Sequence, residues 1–382
     1  MYSERMSELP PYLFARIDEM KAEQLKKGVD IIDLGVGDPD LPTPPHIVDA
    51  LCAAARNPDN HHYPSYSGMP EFRAAVSTWY RNRFSVTLDP AKEVLALMGS
   101  KDGIAHLAEA FINPGDYVLA PSPGYPVYRT STLFAEGRVH EMPLTAERGF
   151  IPDLDAIPKD VLKKAKLMFL NYPNNPTAAT APDSFFREVV DFARDNGIVI
   201  VHDNAYSEIA FDGYKAPSFL NTKGAMEIGI EMHSLSKTYN MTGWRIGMAV
   251  GNPEILAGLG RVKTNVDSGV FNAVQHAGIA ALTGPQDCVK DACKIYQERR
   301  DVLVNGLRDM GIDVPMPKAT FYVWMPAKDC MKTAADLLTG AGVVATPGVG
   351  FGSGGDGYVR FAITRSVDRI QEAIERIRRL GL

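Results

Sequence analysis

Through the middle of the chain, short apolar runs alternate with longer stretches in which apolar positions return every three or four residues. The runs EVLALM from Glu93, YVLA from Tyr117, KLMFLN from Lys166, IVIVHD from Ile198, IGIEMHS from Ile228 and RIGMAVG from Arg245 each lead into a turn cluster or a helical pattern. Strands buried on both faces need apolar residues at successive positions, so these runs predict a mainly parallel sheet linked by crossover helices. Between two of them Phe185, Phe186, Val189, Val190 and Ala193 recur at helical spacing, and Asn196-Gly197 supplies a stop. That stretch reads as one βαβ unit.

After about Pro285 the texture changes. Val289, Ala292, Cys293, Tyr296, Leu303, Leu307 and Met310 form one long stripe, followed by the strand-like ATFYVWM, the helical TAADLLTGAG and the strand-like YVRFAIT. A terminal helix with Ile370, Ile374 and Ile377 on one face completes a smaller α+β unit. The first fifty residues, with Pro39, Pro42, Pro44 and Pro45, read as an arm packed on that unit. The expected division is therefore 1–50 arm and part of the small domain, 51–284 large domain and 285–382 small domain.

Composition narrows the function. With 382 residues, 45% hydrophobic and 23% charged, the chain has a globular make-up and length for two or three domains. Its 40 Lys+Arg against 46 Asp+Glu leave a net charge of −6, which excludes a nucleic-acid footprint and favours small-molecule partners. Cys52, Cys288, Cys293 and Cys330 contain no CxxC pair and no zinc spacing, and read as reduced thiols of a cytoplasmic protein. The charged start MYSERMSELPPYLFARIDEMKAEQLKKG lacks a signal-peptide core, and no later run is apolar enough to span a membrane.

Four stretches carry candidate chemistry. Gly99-Ser100-Lys101 sits at a strand-to-helix junction, either an anion site or a plain turn capped by Ser100; the Walker A spacing is absent. GVGFGSGG holds a formal GxGxxG at Gly350, Gly352 and Gly355, but too little chain follows for a dinucleotide unit, so it reads as a flexible loop. Asp203 ends a buried strand, where doubly wound sheets bind ligands, or else caps a helix; Tyr206 follows three residues on. In HSLSKTYNMTGWR, Ser234, Ser236, Lys237 and Arg245 place two hydroxyls and two cations at a strand end, a plausible phosphate cradle beside a reactive amine.

SLSKTYNMTGWRIG resembles the lysine-containing signature of the class I/II, fold-type I aminotransferases that use pyridoxal 5'-phosphate. The resemblance extends through GVGDPDLPTP, YPSYSGMPEFR, GSKDGI, PSPGYPVY, NYPNNPT, DNAYSEI and YVRF, in order along essentially the whole chain. It implies an α/β fold with a seven-stranded, mainly parallel sheet between helices plus the smaller domain. It also implies site roles. Lys237 would hold the cofactor covalently and then move the substrate proton, while Asp203 would keep the pyridine nitrogen protonated. Tyr206 and Asn175 would bind the 3-oxygen, and Tyr125 would lie on the ring face. Ser100, Lys101, Ser234, Ser236 and Arg245 would neutralise the phosphate, with Tyr63 or Tyr66 reaching the phosphate of a partner subunit in a homodimer. Arg360 would clamp the substrate α-carboxylate, a two-pronged task that lysine does not reproduce.

Within the family, PYLF at 11–14, HSLSKTYNMTGWR and FNAVQ at 271–275 are similar to the members acting on LL-2,6-diaminopimelate. That likeness implies amino transfer between this substrate and 2-oxoglutarate, or from glutamate to tetrahydrodipicolinate in lysine biosynthesis. It adds Tyr12, Gly37, Lys101, Tyr125, Asn175 and Asn272 as substrate contacts, with Gly37 small so as not to obstruct the substrate. An aspartate, alanine or aromatic aminotransferase would keep the same core residues, and a carbon–sulfur lyase can be built on the same frame.

Overall fold

The computed structural model describes residues 2–9 and 13–381. Twelve strands follow in chain order: β1 Ile32–Asp33, β2 Val94–Leu97, β3 Tyr117–Ser122, β4 Arg138–Pro143, β5 Ala165–Leu170 and β6 Val199–Asp203. Then come β7 Gly229–Ser234, β8 Gly247–Gly251, β9 Tyr322–Pro326, β10 Val343–Val344, β11 Thr346–Pro347 and β12 Tyr358–Ala362. Seven of them form one sheet in the order β2-β8-β7-β6-β5-β3-β4, and only β8 runs against the rest.

Each apolar run of the sequence became a strand of this sheet. Its two faces are covered by separate apolar clusters: Ile200, Met168 and Phe186 belong to one, Val201, Ile230 and Met232 to the other. That double covering is why the strands show no polar alternation. The seventh strand, β4, was not legible as a run, because RVHEMP is an edge strand paired only with β3 and mostly part-exposed. Helix Asp183–Asn196 buries the predicted Phe185, Phe186, Val189, Val190 and Ala193, and Gly197 ends it at φ +65°.

A second core joins β9, β11 and β12, an antiparallel sheet, with the parallel pair β1 and β10 and helices Asp287–Arg308, Cys330–Ala341 and Val367–Leu380. Helix Pro45–Ala55 crosses the expected limit at residue 50 and packs Ile47 and Leu51 into the large core, against helix Asn272–Thr283. GVGFGSGG has local structure of its own. It forms two short 3₁₀ turns, Gly348–Phe351 and Ser353–Gly355, and the backbones of Gly348 and Gly355 touch so closely that a side chain on either would overlap the other. No helix among the described residues is long and apolar enough to cross a membrane.

Candidate active site

Ligands of a parallel sheet gather at the carboxyl ends of its strands. Here β2 leads into Gly99-Ser100, β3 into Tyr125, β5 into Asn175, β6 ends on Asp203, and β7 ends on Ser234 with Lys237 in the single turn Leu235–Thr238. Because β8 is reversed, its start lies at that same edge, and Arg245, two residues earlier, joins the group. Arg245 sits in the left-handed region at φ +56°, a conformation that a non-glycine residue keeps only where its surroundings enforce it.

Lys237 Nζ donates to the carbonyl of Gly37 at 2.9 Å and lies 5.6 Å from the centre of the Phe321 ring. Burial pushes its pKa down to about 8, so the amine gives up its proton far more readily than a surface lysine. Glycine at position 37 also has a ground within the chain itself. A side chain there would overlap the Tyr322 hydroxyl, and this close approach brings the Gly37 carbonyl to Lys237.

Asp203 is buried. Its Oδ2 accepts from the Tyr128 hydroxyl at 2.9 Å, while Oδ1 meets no hydrogen-bond partner. Burial raises its pKa to about 6, against the opposing pull of Tyr128 and the nearby His202. Asp203 does not serve as a helix cap. Tyr125 packs edge-on to Tyr128, with ring centres 5.9 Å apart.

The small domain closes the other side. Arg360 on β12 is buried, with Nη1 donating to Asn175 Oδ1 at 2.8 Å and Nη2 to the Gly35 carbonyl at 2.7 Å. Its Nε has no partner. The guanidinium lies 4.2 Å from the ring centre of Tyr322, whose hydroxyl shares a 2.9 Å hydrogen bond with Tyr206. Burial, reinforced by Tyr322, holds the Tyr206 phenol well above the usual range.

A donor-rich cradle flanks these groups. Helix Ser100–Phe111 starts at Gly99, φ +83°, with no side-chain cap, so the plain-turn reading with Ser100 as cap does not hold. A side chain at Gly99 would overlap Arg245 Nη2, which lies over the helix start and donates to the Met98 carbonyl at 3.2 Å. Ser234 Oγ accepts from the Ser236 amide at 3.2 Å, and the buried Ser236 Oγ has no partner. Uncapped amides, an open hydroxyl and a guanidinium together suit a phosphate.

Not every candidate lies in this cluster. Tyr63 is 89% exposed and Tyr66 48%, on a turn held to the loop before Asn272, where a side chain on Gly269 would press on the Ser65 carbonyl. Asn272 Oδ1 accepts from Gln275 Nε2 at 3.5 Å, and Lys101 is exposed in the first turn of its helix. Tyr12 lies outside the described residues. Sequence reasoning missed Tyr128, Tyr322 and the Gly35 carbonyl. Tyr128 stood in the PSPGYPVY motif, but its contact with Asp203 depends on how β3 and β6 lie in the sheet; Tyr322 stood in a predicted strand, and its contact with Tyr206 depends on how the two cores meet.

Known proteins share this architecture. The chain is 57% identical to an LL-diaminopimelate aminotransferase of Syntrophobacter fumaroxidans, covering 99% of this chain and 98% of that protein. It is 53% identical to one from Aquifex aeolicus, covering 100% and 99%. The substrate-bound structure of BacF from Bacillus subtilis superposes with a TM-score of 0.96 at 38% identity, covering 100% of this chain and 98% of that one. A single mutant of Thermus thermophilus aspartate aminotransferase gives 0.93 at 29%, covering 100% and 99%. Residues 29–377 match the family described as aminotransferase class I and II, and to that family this chain belongs.

Proposed function

We propose that this chain moves the amino group of LL-2,6-diaminopimelate to 2-oxoglutarate, or in the biosynthetic sense from glutamate to tetrahydrodipicolinate, on the way to lysine. The observation that carries the substrate is full-length identity of 51–57% to relatives named for that amino acid, against 29% to the aspartate aminotransferase structure. The family works with pyridoxal 5'-phosphate. The polar atoms left open here fit that group: Asp203 Oδ1 for a protonated ring nitrogen, and Ser236 Oγ with the uncapped helix start and Arg245 for a phosphate.

When bound, the cofactor supplies an aldehyde that takes up amino groups and a ring that accepts electrons. The protein does the rest. Lys237 Nζ holds the group and then carries a proton to and from the substrate α-carbon, a task suited to an amine with a lowered pKa. Tyr206 and Asn175 orient the ring through its 3-oxygen, Tyr125 covers its face, and Ser100, Lys101, Ser234 and Ser236 join Arg245 on the phosphate. Arg360 receives the substrate α-carboxylate, and the Gly37 backbone, Lys101, Asn272 and Tyr12 serve the distal end of the substrate.

The exposed Tyr63, Tyr66, Val266 and Phe271 support a homodimer in which Tyr63 or Tyr66 reaches the neighbour's phosphate. A cytoplasmic location suits a biosynthetic amino transfer. The deciding assay offers LL-diaminopimelate, aspartate, alanine and phenylalanine separately with 2-oxoglutarate and measures glutamate. LL-diaminopimelate is expected to react fastest; faster turnover of aspartate removes the substrate reading and leaves the family. Pyruvate and ammonia released without any oxo-acid acceptor would mark a carbon–sulfur lyase instead.

A further inference from the structure

Beneath Asp203, on the opposite face of the sheet, lies a second charged group that the amino transfer does not use. His202 on β6 is in register with Glu231 on β7, and both side chains are fully buried. His202 Nδ1 is 2.9 Å from Glu231 Oε2, and Nε2 is 3.0 Å from the Tyr172 carbonyl. A backbone carbonyl only accepts, so Nε2 carries a proton. The state of Nδ1 then depends on Glu231. Besides His202, that carboxylate receives the Tyr80 hydroxyl at 3.1 Å, the Ser218 hydroxyl at 3.0 Å and the Phe219 amide at 2.9 Å.

The Phe219 amide and His202 converge on the same oxygen, Oε2. A proton placed on that oxygen would leave a poor acceptor facing a fixed N–H; placed on Nδ1, it satisfies every group. We propose that His202 is held as an imidazolium paired with Glu231, and that this buried cation keeps Asp203, the next residue of the strand, ionised. His202 is thereby a positioning residue for the ring-nitrogen contact. This second half rests on the cofactor reading of Asp203 given above.

The surroundings agree. Burial pushes the Glu231 carboxyl upward, but its hydrogen bonds and the charge of His202 outweigh that and leave it lowered. Tyr80, on helix Pro70–Phe84, stays protonated because burial beside Glu231 drives its phenol well above the usual range. Phe186 and Phe219 pack on the imidazole with ring centres 5.2 and 6.2 Å away and bring no charge. The next charges, Arg83 and Glu208, pair with each other at 3.0 Å. On the Asp203 side the facing groups are Tyr128 and Tyr206, both neutral phenols.

The test uses full-length holoenzyme labelled with ¹⁵N-histidine. At pH 7 both ring nitrogens of His202 are expected to show protonated shifts; a deprotonated nitrogen there overturns the ion pair. A second arm uses ¹⁵N-labelled pyridoxal 5'-phosphate. In the H202Q/E231Q double variant, which keeps amide hydrogen bonds without charge, the ring nitrogen should lose its proton at a hydrogen-ion concentration about tenfold higher than in wild type. An unchanged ring signal removes the link to Asp203. Asp203→Asn separates the two readings: if it too leaves the ring signal unmoved, the cofactor contact of Asp203 is wrong, while the histidine spectrum still judges the ion pair.

Discussion

Asp203 and Glu231 are buried carboxylates on adjacent strands, and they face opposite sides of one sheet. Glu231 receives donors from His202, Tyr80, Ser218 and Phe219, whereas Asp203 has a single side-chain donor, Tyr128, and an oxygen without a partner. Their acidities part accordingly: burial raises Asp203 to about 6, while Glu231 ends lowered despite deeper burial. Depth therefore does not separate the proposed ligand carboxylate from the other. Unfilled acceptor capacity does, because a group whose hydrogen bonds are complete has nothing left to offer a ligand.

The contrast can be broken by exchanging the two phenotypes. Glu231→Ala strands a buried imidazolium and two hydroxyls, and should cost about 3–5 kcal/mol of stability in chemical denaturation. At pH 4, where the Asp203 carboxyl is protonated in the cofactor-free fold, Asp203→Asn should leave the denaturation midpoint nearly unchanged. Its loss lies in rate: a fall in kcat of roughly 10²- to 10³-fold, about 3–4 kcal/mol of barrier, measured by glutamate formation. A destabilised Asp203 variant with normal turnover would reverse the assignment.

Acidity gives the next test, in cofactor-free protein. Asp203 titrates near 6 in the folded chain against 3.8 unfolded, so its contribution to stability is full below pH 4 and lost as pH rises through 6. Two units correspond to about 3 kcal/mol. Lys237 has the opposite sign. With a folded value near 8 against 10.5, its contribution is full above 10.5 and lost as pH falls through 8. Stability should thus dip between pH 6 and 8, with Asp203→Asn removing the acid-side slope and Lys237→Met the alkaline one. A flat profile in wild type would show that neither group is desolvated as its burial implies.

Much of the scaffold was legible because burial on both sheet faces writes itself as apolar runs. IVIVHD and IGIEMHS announced β6 and β7, and with them the positions of Asp203 and Lys237. RVHEMP did not announce β4, since an edge strand keeps polar residues. Long-range geometry was hidden for a different reason. Arg245 reaches the start of helix Ser100–Phe111 only because β8 runs backwards, and Gly37 lies against Tyr322, 285 positions later, which no local spacing encodes. The His202–Glu231 pair is likewise a matter of strand register, invisible until β6 and β7 lie side by side.

The smallest effect asks whether the same rule holds across the domain boundary. Arg360 donates through Nη1 and Nη2 to Asn175 and the Gly35 carbonyl, yet keeps Nε unpaired, so it resembles Asp203 more than Glu231. Arg360→Lys preserves the charge but removes the planar fork. If the open capacity serves a substrate carboxylate, kcat/KM should fall about thirtyfold, about 2 kcal/mol, carried by KM with kcat within a few-fold of wild type. The melting temperature should move little, because the ammonium still reaches one of the two acceptors. A lowered melting temperature with unchanged KM would place Arg360 with Glu231, as a group whose hydrogen bonds hold the β12 edge against the Gly35 loop rather than a ligand.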